Sequence, residues 1–348
     1  MQVESFIPLG RWNHAAGAAR AAEEAGYDIA LTSEIGHDPF APLVLAAMNT
    51  SRIMLGTNIA VAFPRSPMVV ANIAWDLQAN SGGRFFLGLG SQVKGHNERR
   101  FSVPWSPPVP RLREYIQALR AIWRCWEKKE PLNFEGEHYR FTLMTPEFAP
   151  EPTGLPRVPV AVAAVREPMI RMAGRVCDGV KLHGFATRKY LTDVAIPALQ
   201  DGMEKAGMKR ENFHISGGGF IATGATAEEV AKQLDMIRYR VAFYGATRTY
   251  HSVFELHGWT DLGMKLHEMS KTGQWESMAK EVSDEVVHAF TAVATYADLK
   301  PAIEKRFGGL TDSLLMAFPG TADPGLQKEV VRDLQAIPCP FERFATAW

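Results

Sequence analysis

The chain has 348 residues with a formal net charge of +0, 46% apolar and 22% charged residues. That balance is ordinary for a globular protein and argues against a nucleic-acid binder or a membrane-surface protein. No apolar run reaches the roughly 20 residues of a membrane helix.

The first residues, MQVESFIPLG, lack a basic segment followed by an apolar core, so no signal peptide is expected. Cys125, Cys177 and Cys339 are odd in number and scattered, with neither a disulfide framework nor zinc spacing. A reducing cytoplasm and no metal are the expectation.

In chain order, Val3 to Pro8 reads as a first strand and Trp12 to Ala25 as an Ala-rich helix closed by Gly26. Tyr27 to Ser33 is a second strand that delivers Glu34, Ile35, Gly36, His37 and Asp38 to a loop, and Pro39 to Asn49 reads as a helix. Arg52 to Phe63 is a third strand with Asn58 inside an apolar run, followed by a helix over Ser66 to Asn80 with Pro67 in its first turn. Arg84 to Gly90 is the fourth strand. Pro110 to Lys129 is a helix with Leu112, Ile116, Leu119, Ile122, Trp123 and Trp126 on helical spacing, for the core or a subunit contact.

The rhythm then breaks. Leu132 to Phe141 reads as a hairpin turned at Glu135-Gly136, and Met144 to Pro159, with five prolines, as an extended connector. Val158 to Val165 is a fifth strand, Pro168 to Val176 a helix, Gly179 to Leu182 a sixth strand and Tyr190 to Ala206 a helix. His214 to Ala222 is a seventh strand, and Thr226-x-x-Glu229 caps the next helix. After an irregular helical region, Ser313 to Phe318 is the eighth strand and Asp323 to Ala336 the closing helix. Alternating strands and helices imply parallel pairing through helical crossovers. Eight such pairs predict a single-domain (β/α)8 TIM barrel over residues 1–348, with insertions near 131–156 and 245–310. Active sites in this fold sit at the C-terminal ends of the strands, which selects Glu34 to Asp38, Asn58, Ser91 to Arg100, Arg166 and His183.

The stretch Arg84 to Arg100, RFFLGLGSQVKGHNERR, ends a buried strand in a glycine-rich turn that opens onto Lys94, His96, Asn97, Arg99 and Arg100. It reads either as an anion cradle or as a strand-end turn with a solvated basic tail. It is no P-loop, because His96 and Asn97 stand where Lys and Ser or Thr belong, and there is no G-x-G-x-x-G. Glu34 and His37 are candidates for acid–base work, with Asp38 as a helix cap. His183 is a candidate for cofactor or substrate contact, and Arg65 for a substrate anion. Cys177 reads as packing.

Four segments carry a family likeness: AAEEAGYDIALTSE, RIMLGTNIAVAFPRSPMVVANIAWDLQANSGGRFFLGLGS, FEGEHYRFTLMTPEFAPEPTGLPRVPVAVAA and AGRVCDGVKLHGF. On these the chain resembles the bacterial luciferase-like monooxygenase superfamily, and within it the deazaflavin (coenzyme F420)-dependent oxidoreductase branch. The resemblance implies a barrel that transfers a hydride between the deazaflavin and a small organic substrate, commonly as a homodimer. It implies a non-proline cis peptide at Asn58-Ile59 beneath the cofactor ring. It implies a phosphate site from Ser91, Lys94 and Asn97 on one side and Ala164, Val165 and Arg166 on the other. Arg99 and Arg100 are candidates for the anionic tail, or else a solvated helix start paired with Glu98. Many deazaflavin members carry Gly-Gly where this chain has Ala164-Val165, and Asp-His where it has Glu34 with His37 displaced. Two rival readings are a flavin mononucleotide (FMN) monooxygenase with a partner reductase and oxygen, and a cofactor-binding barrel without catalysis. Phe254, Trp259 and Met264 of the second insertion are candidates for a lid.

Overall fold

The computed structural model describes residues 1–319 and 322–348. Eight strands form the barrel: β1 (Gln2–Phe6), β2 (Ile29–Thr32), β3 (Met54–Thr57), β4 (Phe85–Gly90), β5 (Val160–Ala164), β6 (Gly179–Leu182), β7 (His214–Gly217) and β8 (Ser313–Leu315). They pair in parallel in the order β3-β2-β1-β8-β7-β6-β5-β4, and β3 pairs with β4 to close the ring. Helices cover the outside, so β2, β4 and β6 are buried at every position. This is why they read as unbroken apolar runs rather than alternating ones.

The outer layer is held by helices whose apolar stripes face the barrel. In helix Pro108–Lys128, Leu112, Ile116, Leu119, Ile122, Trp123 and Trp126 are all buried, which assigns both tryptophans to the core. The Trp123 indole N–H donates to the Ala71 carbonyl at 3.2 Å, satisfying the polar end of a buried ring. Cys177 is 1% exposed and packs in the core.

At the N-terminal end of the barrel, Ile29, Leu31 and Phe86 form a separate interior cluster with Phe344 against it. The C-terminal tail closes this end. Phe344 meets Phe86 at 6.1 Å, and Phe341 and Phe344 flank His214 at 4.8 and 5.8 Å.

The first insertion contains the predicted hairpin as Phe134–Glu135 and Arg140–Phe141. The nearly buried Glu114 carboxylate folds its turn by accepting from the backbone N–H groups of Glu137, His138 and Tyr139 at 3.0, 2.7 and 2.6 Å.

The seventh strand is shorter than its sequence suggests. Gly217 and Gly218 have φ of 81° and 94°, a left-handed turn that side chains resist. The chain leaves the barrel there, and Phe220–Gly224 pairs in parallel with Thr291–Thr295 in a separate two-stranded sheet. Helix Ala227–Gly245 follows. Thr226 Oγ accepts from the Glu229 N–H at 3.2 Å, and Glu229 reaches back to the Ala225 N–H at 2.7 Å, a capping box displaced by one residue. Among the described residues, no helix is long and apolar enough to cross a membrane.

Candidate active site

A cavity of about 730 Å³ opens at the C-terminal mouth of the barrel. Its barrel wall runs from Asn58-Ile59 through Gly90–Val93, Ala163–Arg166, Lys181–Gly184 and Ser216–Gly219 to Leu314–Ala317. The excursion after β7 supplies the outer wall: Gln233, Met236, Ile237 and Arg240 from one face of helix 227–245, with Thr249, Tyr250 and Tyr296.

One side of the mouth is shaped by β3. After Thr57 the Asn58–Ile59 peptide bond is cis, and the strand resumes as Ala60–Val61 beside β4. Gly88 and Gly90 make room for this detour. A Cβ on Gly88 would stand 1.9 Å from the Thr57 carbonyl oxygen, and one on Gly90 2.5 Å from the Ile59 side chain. The glycines of the GLG turn therefore serve close strand approach. Thr57 Oγ locks the same contact by donating to the Gly88 carbonyl at 2.6 Å and accepting from its N–H at 2.9 Å.

Asn58, Ile59, Ser91, Ala164, Val165, Arg166 and His183 all line the cavity. Six other sequence candidates, Glu34, His37, Arg65, Lys94, Asn97 and Arg100, stand away from its lining. The Glu34 carboxylate accepts from the Val61 N–H at 2.7 Å and from Arg65 Nη1 at 2.8 and 3.0 Å, while Arg65 Nη2 reaches Asp38 at 3.1 Å. Arg65 is thus occupied as a brace rather than free for a substrate anion. His37 is exposed on the same loop. Lys94 is exposed and faces Glu98 across one helical turn at 3.9 Å. Asn97 is fully buried and donates to the Ser91 and Val93 carbonyls at 2.9 and 3.2 Å, tying down the loop that reaches the cavity. Arg100 donates to the Ile35 carbonyl and lies over the Phe101 ring at 4.9 Å. Asp38 accepts from the Phe40 and Ala41 N–H groups at 2.8 and 3.1 Å in the turn before helix Ala41–Asn49, whose N-cap position falls on Phe40 and not on Asp38 as expected.

The cavity floor holds a buried ion pair that the sequence reading missed. Glu4 on β1 is 1% exposed and Lys181 on β6 is 4% exposed. Glu4 Oε1 accepts from Lys181 Nζ at 2.7 Å, Ser216 Oγ at 2.8 Å and Ser313 Oγ at 2.6 Å. Burial alone would raise the Glu4 carboxyl, but the Lys181 ammonium foremost, with the Ser313 hydroxyl, outweighs it and holds it below the usual value. Lys181 also sits over the Phe86 ring at 5.0 Å. The available signal was a pair of opposite charges inside otherwise apolar strands, VESF and GVKL.

Midway up the wall, the His183 ring is held edge-on by Tyr244 at 4.5 Å and tilted against Tyr250 at 4.9 Å. Its Nδ1 accepts from the Phe185 N–H at 2.9 Å. Burial pushes its pKa down to about 4, so the ring is neutral near pH 7. At the rim, Arg166 and Arg240 are exposed and have no ion-pair partner among the described residues.

The insertion faces the mouth with residues other than the expected ones. Phe254 is fully buried in an aromatic cluster with Phe185 and Phe290, Trp259 stacks on His257 at 4.3 Å, and Met264 is exposed. None of the three lines the cavity, so Thr249, Tyr250 and Tyr296 take the place expected of them.

Comparison with known proteins agrees with this architecture. The sequence profile of the family described as luciferase-like monooxygenase matches residues 2–311. An uncharacterized protein of Mycobacterium tuberculosis is 47% identical over 318 residues, covering 91% of this chain and 93% of the relative. A putative coenzyme F420-dependent oxidoreductase of the same organism is 28% identical over 359 residues, covering 95% of this chain and 97% of the relative. The solved structure of a coenzyme F420-dependent tetrahydromethanopterin reductase from Methanopyrus kandleri superposes with a TM-score of 0.75 at 19% identity, covering 97% of each chain. The closed parallel barrel and the profile match across most of its length make this chain a member of the luciferase-like monooxygenase family.

Proposed function

We propose that this protein is a deazaflavin-dependent oxidoreductase, transferring a hydride between coenzyme F420 and an organic substrate. The observation that carries this reading is the mouth cavity: large, walled by apolar and small residues, and rimmed by the unpaired Arg166 and Arg240. Those residues fit a flat ring with an anionic tail. The 28% identical relative described as a putative coenzyme F420-dependent oxidoreductase supports the same cofactor.

In this reading Asn58 and Ile59 underlie the ring, and Ser91 with the Ala164–Arg166 segment receives the tail. The deazaflavin, when bound, supplies the two-electron hydride chemistry. The chain's own residues orient it and exclude water. The exposed guanidinium groups contribute a salt-dependent attraction for the tail. The outer wall from helix 227–245 leaves the remaining space to the substrate.

Calorimetric titration of the purified protein with coenzyme F420 and, separately, with FMN tests the proposal. Saturable binding of F420 in the micromolar range, weakened by R166A and by added salt, is the expected result. Preference for FMN would replace the proposal with a flavin monooxygenase. Binding of neither would overturn it.

A further inference from the structure

Glu34 and His37 stand outside the cavity lining, and the Glu4–Lys181 pair on its floor is internally satisfied. His183 shares the wall with neutral polar side chains, among them Asn58, Gln92, Thr223, Gln233 and Thr249, and is its one imidazole among the described residues. Its geometry is specific. The Phe185 N–H occupies the Nδ1 lone pair at 2.9 Å, so in the neutral ring the proton resides on Nε2. Tyr244 and Tyr250 grip the ring on two sides and keep it from turning. Nε2 has no hydrogen-bond partner among the described residues, and the residue lines the cavity.

We propose that His183 presents a fixed, neutral Nε2–H donor to the oxygen of a carbonyl substrate, so that the site works on ketone or aldehyde and alcohol pairs. This rests on the oxidoreductase reading above. A ring locked in this tautomer has no free lone pair, so it does not act as a base. It donates a hydrogen bond to an oxygen on which negative charge develops, and a preorganised donor of this kind is most effective in a water-excluded site. In the reductive direction the carbonyl carbon gains a hydride from the reduced cofactor. The C=O π pair moves onto oxygen, and a solvent proton completes the alcohol. His183 keeps its own proton throughout.

The charged groups around the cavity are consistent with this role. Arg166 and Arg240 are at the rim and Lys181 is bound to Glu4, so none of them competes for an oxygen at mid-wall. Burial raises the Tyr250 hydroxyl to about 12, so it stands beside the ring as a second neutral donor. A neutral donor facing the cavity also disfavours protonated-nitrogen substrates, because an iminium offers no acceptor to it.

The test is nitrogen NMR of the wild-type protein labelled with 15N-histidine. The His183 signal is identified by its loss in H183Q and, independently, by coupling of Nδ1 to the Phe185 amide across the hydrogen bond. The expected result is an Nε2–H tautomer that does not titrate between pH 8 and 5. Its Nε2 proton should shift on saturation with acetone, cyclohexanone or acetophenone, and not with the corresponding methylene compounds that lack the oxygen. An Nδ1–H tautomer, titration near pH 6.5, or no ketone-specific shift across the series would overturn the proposal. None of these readouts uses the cofactor, so its failure is separate from failure of F420 binding. With a carbonyl substrate in hand, H183F should lower kcat by about 100-fold, the usual effect of removing one such donor, while H183Q restores part of it.

Discussion

Arg65 holds the Glu34 carboxylate at 2.8 Å, and through it the backbone of Val61, just past the cis peptide. This ties the loop after β2 to the detour in β3. A carboxylate engaged in this way is a structural anchor. E34A should destabilise the protein by roughly 1–3 kcal/mol, the cost of leaving the Val61 N–H and the guanidinium without their partner. H37A, on the same loop but exposed, should leave the urea midpoint unchanged. Equal losses for the two variants would contradict this division.

The contact between Gly88 and Thr57 leaves no room for a methyl group, and its obstacle is backbone. G88A should cost about 3 kcal/mol or more, because a β-carbon 1.9 Å from a carbonyl oxygen must displace a whole strand. G10A, where nothing lies within 4 Å, is the matched control and should be neutral within error. Chemical denaturation of the two variants side by side makes the comparison.

The Glu4–Lys181 pair should respond asymmetrically to substitution. K181M leaves a buried carboxylate with two hydroxyl donors and no counter-charge, at a cost of roughly 3–5 kcal/mol. E4L/K181M removes both charges and should recover most of that loss. A double variant no more stable than K181M would mean that the pair does more than neutralise itself.

Stability should fall as pH drops below neutrality. His214 is buried between Phe341 and Phe344 with neither ring nitrogen bonded, and burial, then the Lys181 charge, push its pKa down to about 3. His183 is pushed down to about 4 by burial. For both, the unfolded chain takes up a proton near pH 6.5 that the folded chain refuses. Their stabilising contribution is therefore complete above pH 6.5 and declines as pH falls toward 4 and then 3. The total is several kcal/mol, on the order of one per pH unit for each histidine over its window. Urea midpoints between pH 7.5 and 4 should trace this slope, and H214F should flatten it.

The barrel was legible because its strands are buried on both faces and its connections are short. VAVAA, GVKL and FFLGLG are apolar runs bounded by loops, and each is a strand within a residue or two of its expected limits. The seventh strand was misjudged because GGGFIA continues an apolar pattern across a turn, and periodicity carries no signal for a left-handed glycine that redirects the chain. At the site, position along a strand located Asn58, Ser91, Arg166 and His183 in the cavity wall, and the family resemblance added Ile59, Ala164 and Val165. Strand position could not distinguish them from Lys94, Asn97 and Arg100, because the helix Lys94–Arg99 turns Lys94 to solvent and Asn97 into the loop beneath, and Arg100 just after it reaches the Ile35 carbonyl. Glu4 and Lys181 lie far apart in sequence, and only barrel closure makes them neighbours.

The parallel pair Phe220–Gly224 and Thr291–Thr295 stitches the excursion after β7 to itself, outside the barrel sheet. The outer wall of the cavity is therefore built on its own small sheet, and it packs on the end of β6 through Tyr244 and Tyr250 against His183 and Phe254 against Phe185. Mutations at Gln233, Met236 and Arg240 of helix 227–245 would remodel that wall, while Tyr244 of the same helix is tied to His183. Exchanging residues 220–295 between related barrels is then a natural unit for redesigning selectivity.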